Sequence, residues 1–179
     1  MTSDLGKTED DGGAGTGDSM IREPGMDLNE LLAPNAVFHG IKATSKKLVL
    51  DELAHSAATA TGLDHRDLFN AVLQRERLGS TALGRGVAVP HVHVPGLDRI
   101  FCSFAKLAAP VDFEAPDKLP VDLVFLLLSP QHASGDHLKA LARISRVVRD
   151  APTMERLRAA RSVDQLRDVL LPTRAPHAA

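Results

Sequence analysis

The stretch Pro120-Val121-Asp122-Leu123-Val124-Phe125-Leu126-Leu127-Leu128 is apolar at every position but Asp122. It is far too short to span a bilayer, which takes about 20 residues. Lacking the alternation of a half-buried strand, it reads as a central strand covered on both faces. The flanking sequence supplies the covers. Upstream, Ile100 to Leu107 alternates well enough to be a second strand. Downstream, Ser129 to Asp136 leads into a helix, with Asp136 expected as its N-cap and Leu138, Leu141, Ala142 and Val148 expected inward. Pro152 and Ser162 are expected to open two further short helices rich in Arg and Leu.

Toward the N-terminus, a short regular segment spans Ala36 to Ile41. Ser45 then caps a predicted helix carrying Leu50, Leu53, Ala54, Ala57 and Ala58 on one face, which Gly62 stops. Asp64 caps another, with Leu68, Phe69, Val72 and Leu73 inward, running through Arg75-Glu76-Arg77 to Gly79. The order strand, two helices, strands, three helices predicts an α/β fold: a single domain with a mixed β-sheet flanked by helices on both faces.

The chain has 179 residues, 44% apolar and 25% charged, without Trp or Tyr. That suits one globular domain, expected over residues 26–171, with tails at 1–25 and 172–179. The first tail holds six acids, two bases and six of the 13 glycines without hydrophobic periodicity, and reads as disordered. The rest carries 19 bases and 17 acids with no basic stripe, so no nucleic-acid partner is expected. The N-terminus has neither the basic nor the apolar region of a secretory signal. Cys102, the single cysteine, fits a reducing compartment. A cytoplasmic protein without direct membrane insertion is expected.

Chemistry concentrates in residues 79–96, GSTALGRGVAVPHVHVPG, which read as a long loop with four glycines and two prolines. His91 follows Pro90, which fixes its approach. An imidazole with a neutral ring nitrogen is a nucleophile suited to phosphoryl transfer. Backbone N–H groups from Gly84 to Ala88, Gly86 and Val87 among them, together with Arg75 or Arg85, could hold the equatorial oxygens of a phosphoryl group. Ser80 and Thr81 could hydrogen-bond a phosphate or simply open the loop turn. His137 is expected in the first turn of its helix, where free N–H groups favour anions.

Other chemistries are weaker. His91, His93, His132 and His137 raise the idea of a zinc site, but no Cys-x-x-Cys or HExxH spacing accompanies them, and no metal is expected. Gly84-Arg85-Gly86 lacks the remainder of a dinucleotide fingerprint, and no P-loop ending is present. No cofactor is expected.

Taken together, Arg75-Glu76-Arg77-Leu78-Gly79-Ser80-Thr81, Gly84-x-Gly86-Val87-Ala88-Val89-Pro90-His91, Pro110-Val111-Asp112-Phe113 and Asp136-His137-Leu138-Lys139-Ala140-Leu141 resemble the fructose/mannitol-type (type 2) enzyme IIA of bacterial phosphotransferase systems. Within it the nitrogen-regulatory branch is the most similar, over roughly Leu28 to Leu170. The resemblance implies that His91, through Nε2, accepts phosphate from a histidine-containing phosphocarrier protein. It also implies that His137 is a second active-site histidine and that Arg75 and Thr81 support the phosphoryl group. The pattern departs at Val92 and His93, where the family usually has glycine and lysine; a β-branched residue at 92 would restrict a close approach. No transporter or IIB-like segment accompanies the motifs, so a regulatory role acting on protein targets is expected. The alternative is a phosphorylation-deficient binding module that docks partners through the same loop.

Overall fold

The computed structural model describes residues 28–172. Residues 1–27 and 173–179, which hold the expected tail 1–25 and all but Pro172 of the expected tail 172–179, lie outside the described residues. A short helix α1 (Leu28–Leu31) leads into β1 (Leu32–Ile41), longer than the segment expected from sequence. Helix α2 (Lys46–Thr61) starts where the Ser45 side chain accepts the Leu48 N–H and stops at Gly62, whose φ of 75° needs a glycine. Helix α3 (His65–Arg77) is capped in the same way by Asp64.

Residues 79–96 are not one loop. They hold three short strands, β2 (Ala82–Gly84), β3 (Val87–Ala88) and β4 (His91–Val94). Glycine and proline punctuate them so closely that no local strand signal survives; β2 pairs with β3, and β3 and β4 take their places from β6, 36 residues downstream. Strands β5 (Phe101–Val111) and β6 (Val121–Pro130) follow, then helices α4 (Ser134–Arg149), α5 (Ala151–Ala159) and α6 (Val163–Leu170).

Among the described residues the strands form one mixed sheet in the order β1-β5-β6-β3-β2, with β4 also paired to β6. β5 and β6 are antiparallel; β1 lies parallel to β5, and β3 and β4 lie parallel to β6. Leu123 through Leu128 are all fully buried. Burial of each such side chain contributes about 1.5–3 kcal/mol, which puts this strand at the centre of the molecule. Val124, Leu126 and Leu128 face one core with α2 and α3, while Leu123, Phe125 and Leu127 face a second core with α4, α5 and α6. The mixed sheet with helices on both faces is therefore as expected.

Helix α4 corrects two expectations. It begins at Ser134 after Ala133, so Asp136 lies inside the first turn and is not the N-cap. Its buried residues are His137, Ala140, Ile144 and Val148; Leu138 is 67% exposed and Ala142 is exposed too. Ranking side chains by hydrophobicity put Leu138 inward, but the helix turns on the buried imidazole next to it.

Candidate functional site: a histidine cluster at the end of the central strand

Pro90 has no N–H to give a ladder, so it separates β3 from β4 along the same edge of β6. The ladder resumes through the Leu127 N–H, which donates to the Pro90 carbonyl (2.9 Å). In β4 the side chains alternate. Val92 and Val94 pack into the α2/α3 core. His91 and His93 therefore point to the opposite face, where α4 delivers His137. Val92 turns its β-branched side chain away from the histidines.

The His91 Nδ1 lies 2.7 Å from the Val89 carbonyl oxygen. A carbonyl only accepts, so Nδ1 carries the ring proton and Nε2 keeps its lone pair. The imidazole is half-buried. Its centroid is 5.5 Å from that of His137, tilted by 54°, and the His93 ring stacks on His137 at 4.4 Å and 30°. His93 donates from Nδ1 to the Pro130 carbonyl (3.1 Å).

His137 is only 6% exposed, and its Nδ1 sits 2.6 Å from the Ser129 hydroxyl. Burial, then the neighbouring His93 and His91, push its pKa down to about 4, so the ring is neutral at pH 7. Its backbone N–H already donates to the Ala133 carbonyl (2.9 Å). The free helix-start N–H expected at this residue is therefore absent, and the side chain is what it offers.

The other residues singled out from the sequence are dispersed. Arg75 donates to the Gly79 carbonyl (3.2 Å) and makes no hydrogen bond to the histidines; it lies in the last turn of α3, which packs against β4. Thr81 gives both its N–H and its hydroxyl to the buried Glu76 carboxylate, at 3.0 and 2.6 Å. Ser80 donates to the Phe113 carbonyl. The Thr81 hydroxyl thus closes the turn after α3, and that of Ser80 ties the turn to the connection between β5 and β6. Gly86 and Val87 were expected to bind phosphate but lie apart from His91. Val87 pairs with Leu123 and His91 with Leu127, four residues further along β6. At about 3.3 Å per residue that is roughly 13 Å. Arg85 is at that far end too, its N–H held by Asp117. Gly86 serves a packing need: a Cβ there would come within 2.8 Å of the Arg158 guanidinium and 2.9 Å of the Asp122 carboxylate.

Ser129 went unnoticed in the sequence because its importance comes from register: it pairs with His93 across β4 and β6. The stacked rings of His93 and His137 do not converge their nitrogens, and among the described residues no group of three or more His, Cys, Asp or Glu side chains is arranged to hold a metal ion. Cys102 is fully buried, and burial pushes its thiol far above the usual range, so it packs and does not react. No described helix is long and apolar enough to cross a membrane.

Residues 30–172 match the family described as phosphoenolpyruvate-dependent sugar phosphotransferase system, EIIA 2. The chain belongs to the EIIA type 2 family. The EIIA match takes in the whole sheet and the helix layers on both its faces. A nitrogen regulatory protein of Bradyrhizobium diazoefficiens is 51% identical over 145 residues, covering 81% of this chain and 95% of that protein. The crystal structure of nitrogen regulatory protein IIA-Ntr from Neisseria meningitidis superposes with a TM-score of 0.75 at 34% identity, over 80% of this chain and 98% of that one. Mannitol IIA from Escherichia coli gives a TM-score of 0.62 at 26% identity, over 75% of this chain and 95% of that one. The expected resemblance to nitrogen-regulatory EIIA proteins holds.

Proposed function

We propose that this EIIA chain is a cytoplasmic phosphoryl carrier. His91 Nε2 accepts phosphate from a histidine-containing phosphocarrier protein, and the phosphorylation state of His91 regulates target proteins. The observation that carries this reading is the Val89 carbonyl on His91 Nδ1, which leaves Nε2 as a lone-pair nucleophile on a half-buried ring. In the step, the Nε2 lone pair forms a bond to phosphorus. The donor's N–P bond breaks with its electron pair returning to the donor nitrogen, and each imidazole keeps its own remaining N–H. No separate base is required. The arriving group brings about −1.5 to −2 charge at pH 7, enough to alter which proteins bind this surface. His137, neutral and buried beside the acceptor, is the donor for a phosphoryl oxygen, and Arg75, in the last turn of the helix that packs against β4, is the cation assigned to the transferred group.

The test is incorporation of labelled phosphate from phosphoenolpyruvate, enzyme I and a phosphocarrier protein, with the labelled residue located by mass spectrometry in alkali. Label is expected on His91 and absent from His91→Ala, with His137→Ala labelled more slowly. An unlabelled wild-type chain beside a labelled control EIIA would overturn the carrier reading in favour of a docking module that uses the same loop.

A further inference from the structure

His137 is held from two sides by residues that the family motifs do not include. Ser129 is fully buried, and among the described residues its hydroxyl has one hydrogen-bond partner, His137 Nδ1 at 2.6 Å. Were Nδ1 protonated, the Ser129 hydroxyl hydrogen would be left in the interior without an acceptor, a penalty the opposite arrangement avoids. Ser129 therefore donates, and the single proton of the neutral His137 ring stands on Nε2. On the outer side, the exposed His93 ring stacks on His137 at 4.4 Å, and the Pro130 carbonyl at its Nδ1 keeps it from swinging away. One piece of backbone builds both contacts. In the parallel β4–β6 ladder His93 pairs with Ser129 and Val94 with Pro130, so one register sets the stacking ring, the hydroxyl and the carbonyl side by side.

We propose that Ser129 and His93 are positioning residues that fix the tautomer and the ring plane of His137. With Ser129 as donor, the His137 proton stands on Nε2, on a ring whose centroid is 5.5 Å from that of His91. The two rings then hold opposite tautomers: His91 with its lone pair on Nε2 as acceptor of the phosphoryl group, His137 with its proton on Nε2 as donor to one of the transferred oxygens. Without the serine both tautomers of His137 would be populated, and one of them would turn a lone pair toward the phosphate. Without the stacking ring the imidazole could rotate about its side-chain bonds. The role in transfer rests on the carrier reading above, whereas the tautomer and the ring orientation do not.

The test combines nitrogen NMR of the imidazoles in the unphosphorylated full chain with the initial rate of labelling by the phosphocarrier protein. In the wild type His137 should show a protonated Nε2 and an unprotonated Nδ1. Ser129→Ala should mix the tautomers and slow labelling about fivefold to tenfold, the scale of one lost hydrogen bond, and Ser129→Thr should restore both. His93→Ala should slow labelling by a similar factor without shifting the tautomer, and His93→Phe, which keeps a ring for the stack, should recover the rate. A wild-type His137 protonated on Nδ1, or variants that leave both the tautomer and the rate unchanged, would overturn the proposal. If the wild type takes no label while Ser129→Ala still changes the tautomer, the carrier reading fails and the positioning of His137 stands.

Discussion

Glu76 lies in the middle of the Arg75-to-Thr81 motif and is 3% exposed, so its carboxylate has to be matched inside the protein. Thr81 matches both oxygens, and Lys46 stands 3.6 Å away while also pairing with the exposed Glu114. A hydrogen bond to a charged group contributes about 1.5–3 kcal/mol. Glu76→Ala removes two of them but leaves Lys46 paired with Glu114, so a loss of about 3–6 kcal/mol is expected in urea unfolding. A loss under about 0.5 kcal/mol would mean that this carboxylate does not hold the turn. Residue type left Thr81 between a phosphate and the loop turn, and the family resemblance implied the phosphate. The acceptor that takes its hydroxyl hydrogen, five positions back, becomes visible only once α3 and the turn are folded together.

At the scale of elements, two glycines with nearly the same dihedral separate local from tertiary constraint. Gly62 (φ 75°) ends α2, and a Cβ there would meet nothing within 4 Å. Gly86 (φ 77°) turns β2 into β3 under the guanidinium of Arg158, which grips Asp122 through two hydrogen bonds of 2.8 and 2.9 Å and so ties α5 to β6. Alanine at position 62 meets only the left-handed backbone penalty, about 1–2 kcal/mol. Alanine at 86 meets that penalty and also displaces the ion pair, so Gly86→Ala should destabilise by roughly 1–3 kcal/mol more than Gly62→Ala. Equal unfolding midpoints for the two variants would refute the argument. The same division explains which elements were legible. Ser45, Gly62 and Asp64 are neighbours of the groups they cap, so α2 and α3 could be read directly. β2, β3 and β4 have two to four residues each; β2 pairs with β3, and β3 and β4 depend on β6 for pairing, which no window around them contains.

At the scale of the whole molecule, both cores share β6, and His137 reports on the integrity of the second. Its pKa in the folded protein is about 4, against 6.5 for the unfolded chain. Between those values the unfolded state binds the extra proton, so acidification favours unfolding. Stability should be full above pH 6.5 and fall as the pH drops toward 4, by at most about 3 kcal/mol from this group. Urea unfolding at stepped pH should therefore show a steeper decline for the wild type than for His137→Gln, since carboxylates that titrate in the same window are common to both. Parallel profiles would mean that His137 is not held neutral by burial.

The sequence by itself determined the central strand, the caps of α2 and α3, the succession of the long helices and strands and the prominence of His91, because each depends on hydrophobic runs, capping residues or motifs contiguous along the chain. Only the tertiary structure decided which nitrogen of His91 is bare, that Ser80, Thr81 and Gly86 serve turns and packing, and that Ser129 and His93 close around a buried His137. Those outcomes depend on strand register and on which face α4 turns inward. Both are set by pairing and burial between segments far apart in sequence, which no local pattern encodes.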